Sequence, residues 1–321
     1  MKQSKPSIEQ ISKWLAGVHH AEIIDLVPLL GGFWSSAYAY RVGTQDFVLR
    51  FSDMADFFAI DKAAMRFKGP NLPIPNVVET GIAMDLNYAI SERHFGRFIE
   101  TTAAEEGRAV GGALETLLAA MRSVAPSQDD GVIWYEQERS TNMTWHRWLK
   151  GGLVDNPDAH VHGWKVKLAQ QPVIDDLFKR CEARIHELLP ACPERRDLVH
   201  GDLLHQNVLV SNDASQVTAI FSWKCSAKGD FLYDVAWCTF WSGWHPGIAA
   251  ADIWNRTMRA PDLDAADLLN ASLRHHCYEL QIGASHLGWN VWTNNQKDLE
   301  AVARLLEHKL EKGPLPIHRT D

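Results

Sequence analysis

The sequence predicts an α+β chain in two lobes, a small β-rich N-terminal lobe over residues 1–93 and a large helical C-terminal lobe over 94–321. Two observations carry this reading. The first 93 residues are dominated by alternating, β-branched and aromatic runs, whereas beyond Gly96 the apolar spacing lengthens to that of amphipathic helices. Between the two lies a hinge, placed near 91–96, and ligands commonly bind in the cleft of such an arrangement.

The elements follow in order. "FWSSAYAYRVGTQDFVLR" (33–50) alternates and then turns at Gly43–Asp46, which predicts a β-hairpin. Residues 54–68 read as one helix inserted in the sheet, and "GPNLPIP" (69–75) stops it, because each proline removes an N–H and restricts its predecessor. "LNYAISER" (86–93) predicts a further strand. In "PVIDDLFKRCEARIHELLP" (172–190), Ile174, Leu177, Phe178, Cys181, Ile185 and Leu188 share one helical stripe. "NVLV" and "VTAIF" flank the turn-prone "SNDAS", a short second hairpin, and helices resume from 231 to the end.

Bulk composition narrows the function. Apolar residues make up 46% and charged residues 22%, enough to build a core and too apolar for a disordered chain. The net charge of −8, without a basic run, argues against nucleic acid as a partner. The five cysteines show no CxxC spacing and read as reduced, mostly buried thiols. The N-terminus lacks the apolar core of a signal peptide and no long apolar run follows, so the expectation is a cytoplasmic protein without membrane contact, a monomer or weak dimer.

"LVHGDLLHQNVLV" (198–210) carries the chemistry. Phosphoryl transfer asks a protein mainly for positioning and charge neutralisation: a base at the acceptor hydroxyl and oxygen ligands for Mg²⁺. Asp202 and Asn207, five residues apart on a loop between a long helix and a short hairpin, suit those two tasks. Asp202 is the expected base and the Asn207 amide oxygen a metal ligand, while His200 braces the loop.

These residues, with "LLGGFWSSAYAYRVGTQDFVLRFS", "LPIP", "TWHRWL", "CPERRDLVHGD" and "GDFLYDVAW", resemble the aminoglycoside phosphotransferase family, on its hygromycin B phosphotransferase branch. The resemblance runs from about residue 29 to 240 and implies a protein-kinase-like fold. It also implies transfer of the γ-phosphate of ATP or GTP, with Mg²⁺, to a hydroxyl of an antibiotic. Gly31, Gly32, Ser35 and Ser36 would then cover the phosphates, and Arg50 would stand where most members have a phosphate-binding lysine. Asp61 would pair with that cation, and Ser91 and Arg93 would lie beside the nucleotide base. The alternatives are a solvated strand cation for Arg50 and an exposed helical carboxylate for Asp61. Asp230 and Asp234 read as caps of the following helix.

One position departs from the family pattern I-D-W, whose aspartate binds Mg²⁺: this chain has Phe221, Ser222 and Trp223. A neutral hydroxyl is the weaker ligand for a hard cation. Ser222 is compatible with a substitution in an otherwise active enzyme, with a rearranged metal site, and with a nucleotide-binding protein that no longer turns over. On the acceptor side, Trp241 and Trp289 offer flat surfaces for a ring-bearing or cationic small molecule, and Glu279 a carboxylate for its amines. The competing reading is that most of Trp241, Trp244, Trp254, Trp289 and Trp292 are core or lobe-packing residues. A kinase for a metabolic amine or sugar is a further possibility, by analogy of fold alone.

Overall fold

The computed structural model describes residues 6–29, 32–54, 57–124 and 143–317. Five antiparallel strands form the N-terminal sheet: β1 (Ile24–Leu29), β2 (Ser36–Val42), β3 (Gln45–Ser52), β4 (Val77–Ala83) and β5 (Leu86–Glu92), ordered β1-β2-β3-β5-β4. The hairpin read from 33–50 is β2–β3, turning through Gly43 at φ 57°. Two helices, not one, accompany the sheet. Helix α1 (Ile8–His19), started by a Ser7/Gln10 capping box, went unread in the sequence, and α2 (Phe57–Ala64) is the helix expected near 54–68, shortened because its last turn is 3₁₀.

The period of two along β3 divides its residues between the sheet faces. Phe47, Leu49 and Phe51 pack with Ile11 and Leu15 of α1, while Phe57, Phe58, Val77 and Ala89 form a small cluster around α2. Arg50 lies between Leu49 and Phe51 and so emerges on the α2 side.

Beyond β5 the chain crosses into a largely helical region. Strand β6 (Arg97–Phe98) pairs with β8 (Val208–Val210), which pairs with β9 (Val217–Ile220); β7 (Asp197–Val199) pairs with β10 (Ala227–Gly229). The crossing needs Gly96, since a Cβ there would lie 2.5 Å from the Val210 carbonyl oxygen. The helices are α3 (Gly107–Ser123), α4 (Trp145–Gly151), α5 (Trp164–Ala169), α6 (Pro172–Leu188), α7 (Leu232–Trp241), α8 (Pro246–Ala250), α9 (Ile253–Met258), α10 (Ala265–Leu268), α11 (Ala271–Thr293) and α12 (Gln296–Lys312). Leu177, Phe178, Cys181, Ile185 and Leu188 of the predicted stripe are buried in the core, with Ile174 at its margin. Among the described residues no helix is long and apolar enough to cross a membrane. All five cysteines are free thiols, and all but Cys225 are buried.

A buried ion pair fixes the start of α7 against α11. Arg274 donates twice to the Asp230 carboxylate, both at 2.7 Å, and the Tyr278 hydroxyl donates to it at 2.7 Å. Asp230 also accepts from the Leu232 N–H at 3.1 Å, but the N-cap of α7 is Phe231, so Asp230 acts chiefly as the partner of Arg274 and not as the expected cap. A buried pair broken on one side leaves an uncompensated charge. Arg274→Met should therefore lower the unfolding free energy by about 3–5 kcal/mol in urea titrations; a loss under about 1 kcal/mol would mean that water or another group satisfies Asp230.

Candidate active site

Residues 200–207 form the loop between β7 and β8. Gly201 has φ 74°, and a Cβ there would lie 2.5 Å from the Cys225 carbonyl oxygen, which explains the glycine of the H-G-D sequence. His205 and Gln206 also adopt left-handed φ values of 64° and 67°, a conformation that L-residues other than Gly, Asn and Asp enter at a cost of about 1–3 kcal/mol each. Long-range contacts hold the loop against that strain. Asp234 of α7 accepts from the His200 and Gly201 N–H groups at 2.8 and 2.9 Å, and Glu100, just after β6, accepts from the Gln206 N–H at 2.5 Å. Asp234 thus caps the loop and not its own helix.

Within the loop, one Asp202 carboxylate oxygen accepts from His205 Nδ1 at 2.7 Å, and the other from the Asn207 amide nitrogen at 3.0 Å. That nitrogen also reaches the Asp202 and Leu204 carbonyls at 2.8 and 3.0 Å, so the amide oxygen is what Asn207 can offer a ligand. Desolvation opposes the His205 imidazolium, but Asp202 and Glu100 outweigh it and raise its pKa. His200 is fully buried, and burial lowers its pKa. Its Nε2 donates to the Phe221 carbonyl at 3.1 Å while Nδ1 accepts from the Asp202 N–H at 3.2 Å, which assigns the neutral tautomer and a bracing position.

Facing this loop, Arg50 donates to one oxygen of Asp61 at 2.5 Å, and the Trp223 N–H donates to the other at 2.8 Å. Asp61 is 5% exposed, which settles the alternative of an exposed helical carboxylate. The residue before Trp223 is Ser222, at φ 68° and ψ 57°. The β8–β9 register sets Val208 against Ile220, and the Phe221 N–H donates to the Asn207 carbonyl at 3.1 Å, so Asn207 stands opposite Phe221 at the end of this hairpin, with Ser222 the next residue along. The left-handed backbone at 222 is one that Asp and Asn enter more readily than Ser.

Mg²⁺ is ordinarily bound through one or two carboxylates. Here the donors at 207 and 222 are an amide and a hydroxyl, both neutral, and the Asp202 carboxylate is engaged by His205 and Asn207. Among the described residues no cluster of three or more His, Cys, Asp or Glu side chains is placed to hold a metal ion. The residues present do not fit a carboxylate-held Mg²⁺.

The remaining expected site residues fall into three groups. Gly31 lies outside the described residues; Gly32 and Ser35 are in the loop between β1 and β2, and Ser36 opens β2. Ser91 is buried on β5 opposite Val48, and Arg93 follows with its guanidinium 4.9 Å from the Phe95 ring centroid. On the helical side, Trp241 packs edge-on against His205 at 5.1 Å and so borders the loop. Trp289 is drawn elsewhere, to the loop after β1: Phe33 and Trp34 lie 4.9 and 5.5 Å from it, and Trp292 stacks on Trp34 at 6.1 Å. Glu279 is 1% exposed, with one oxygen accepting from Lys309 at 2.5 Å and from Thr239 at 2.8 Å. Burial opposes its charge, yet His275 and Lys309 hold its pKa low. Its carboxylate is committed inside the protein, which corrects the expectation that it attracts an acceptor's amines.

Glu100 and His205 went unnoticed in the sequence. Nothing local marks Glu100, whose partner is 106 residues away. His205 had a signal, three residues after Asp202 on a loop.

Burial of Asp234 pushes its pKa up to about 7 from 3.8, against the pull of the two loop N–H groups. A folded pKa above the unfolded one means that the native state holds the proton longer, so this contribution to stability is complete below about pH 4 and lost as pH rises towards 7. The stability of the native chain relative to Asp234→Asn should therefore fall by about 1.4 kcal/mol per pH unit across that window and level off above it, read by denaturant titration at several pH values. A flat difference would mean that the N–H bonds offset burial completely.

Comparison with known proteins follows the same lines. The model of the phosphotransferase enzyme family matches residues 25–269. Hygromycin-B 4-O-kinase of Escherichia coli is 30% identical over 310 residues, covering 93% of this chain and 84% of the relative. A crystal structure of a thermostable mutant of aminoglycoside phosphotransferase APH(4)-Ia, in ternary complex with AMP-PNP and hygromycin B, superposes with a TM-score of 0.79 at 26% identity, covering 94% of this chain and 98% of that one. Spectinomycin phosphotransferase, solved with ADP and spectinomycin, shares the fold at a TM-score of 0.59 and 12% identity, over 94% and 93% of the two chains. From its sequence and its fold alike, this chain belongs to the phosphotransferase enzyme family.

Proposed function

We propose that the chain transfers the γ-phosphate of ATP or GTP to a hydroxyl of an aminoglycoside-type antibiotic, and that Ser222 slows this transfer. The observation that carries the reading is the placement of Asp202, held by His205 and Asn207 on a loop gripped from behind by Asp234, together with the Arg50–Asp61 pair bonded to the turn after β9. The kinship with hygromycin-B 4-O-kinase supports the acceptor class.

In this reading the nucleotide lies between the lobe of residues 1–93 and that of 94–321, with Ser91 and Arg93 beside its base and the loop of Gly32 to Ser36 over its phosphates. Arg50 faces the phosphates. Asp202 accepts the acceptor's hydroxyl proton as its oxygen bonds to the γ-phosphorus and the bond to the β–γ bridging oxygen breaks, releasing the nucleoside diphosphate. Positioning and charge neutralisation dominate such a transfer. Trp241, edge-on to His205, provides a wall for the acceptor's rings. A second reading, a nucleotide-binding protein without turnover, is favoured by the neutral side chain at 222 alone.

The test is phosphate transfer from Mg·ATP and Mg·GTP to hygromycin B and a panel of other aminoglycosides. Turnover by the native chain should fall by about 10²–10⁴-fold in Asp202→Asn and rise about tenfold or more in Ser222→Asp. Nucleotide binding with no transfer by either the native chain or Ser222→Asp would establish the second reading.

A further inference from the structure

The loop of Gly32 to Ser36 reaches from the sheet to the C-terminal end of α11. Its backbone is tied to β3, where the Trp34 carbonyl accepts from the Ser52 hydroxyl at 3.0 Å. Its aromatic rings meet the helical region. Phe33 is 65% exposed, so core packing does not account for it. Its ring stands edge-on to Trp289, with centroids 4.9 Å apart and planes at 70°, and lies 6.1 Å from Trp292. Trp34 lies 5.5 Å from Trp289, stacks on Trp292 and meets His160 edge-on at 5.1 Å.

The helix end that receives these rings is itself held. Trp289 and Trp292 are three residues apart and so share one face of α11. A Cβ on Gly288 would lie 2.9 Å from the Trp164 ring, so α5 packs directly on the helix there. Lys167 Nζ donates to the Trp292 carbonyl at 3.0 Å and to Asn294 Oδ1 at 3.2 Å, which ties down the last turn. One turn before Trp289, His286 lies 4.8 Å from Trp241 and 6.1 Å from His205. Successive turns of one helix thus face the loop that carries Asp202 and the loop that would cover the phosphates. A loop fixed in its bound conformation before the ligand arrives loses less entropy on binding, and an aromatic pair stabilises beyond the area it buries.

We infer that Trp289 and Trp292 are positioning residues for the nucleotide: through Phe33 and Trp34 they hold the loop of Gly32 to Ser36 over the phosphates, and so set the affinity for a nucleoside triphosphate without touching it. The inference rests on the nucleotide-binding reading above. It makes the end of α11 part of the phosphate site, although the helix belongs to the other lobe.

Titration calorimetry with ATP, adenosine and hygromycin B, on the native chain and its variants, tests it. Trp292→Leu and Phe33→Leu should each weaken ATP binding by roughly threefold to tenfold and leave adenosine within about twofold, since adenosine has no phosphates for the loop to cover. The double variant should bind ATP within about twofold of the weaker single variant, because the contact is already lost there. Phe33→Tyr, which keeps a ring on an exposed position, should bind ATP within about twofold of the native chain. ATP affinity that is unchanged or tighter in Trp292→Leu, equal losses of ATP and adenosine, or losses that add in the double variant would overturn the inference and leave the functional reading intact. So would a loss confined to hygromycin B, which would make this helix end an acceptor contact. A native chain that binds neither ATP nor adenosine would overturn both.

Discussion

The Asp61 carboxylate receives a guanidinium from one side and a backbone N–H from the other. Buried charge is tolerated only when paired and hydrogen-bonded, and Arg50 and Trp223 satisfy both oxygens. The two partners come from β3 and from the turn after β9, and Trp223 is 162 residues from Asp61 along the chain. One side chain on α2 thus ties the sheet to the helical region at the place where a nucleotide would lie. The direction of Arg50 and the left-handed backbone at Ser222 are both organised around it.

The loop of residues 200–207 answers to a second set of constraints. Its backbone turns through left-handed conformations at Gly201, His205 and Gln206, and only the glycine does so without strain. Asp234 and Glu100 hold its N–H groups from two different elements, so the geometry around Asp202 is determined by the fold and not by the loop alone. Asp230, four residues before Asp234, anchors the same segment to Arg274 of α11. The acidic run in "GDFLYD" therefore connects the loop to the core through two carboxylates that have different partners.

Local chemistry made much of this legible in the sequence. Asp202 and Asn207 sit five residues apart, the hairpin alternation of 33–50 places Arg50, and the stripe on α6 matches the buried face. What escaped was decided by distant contacts. Helix α1 has apolar positions that gain meaning only against the sheet, where Ile11 and Leu15 are fully buried. Glu279 looked available because its partner Lys309 lies on the next helix, and nothing in the sequence announces Phe33 and Trp34 beside Trp289.

The most direct test of this account is a double-mutant cycle on Arg50→Met and Asp61→Asn, read through nucleotide affinity. If Asp61 acts by holding Arg50 in the site, the double variant should bind no worse than Arg50→Met alone, with a coupling of about 1 kcal/mol or more. Losses that add to within about 0.5 kcal/mol would contradict it, and would mean that the two residues serve the nucleotide independently.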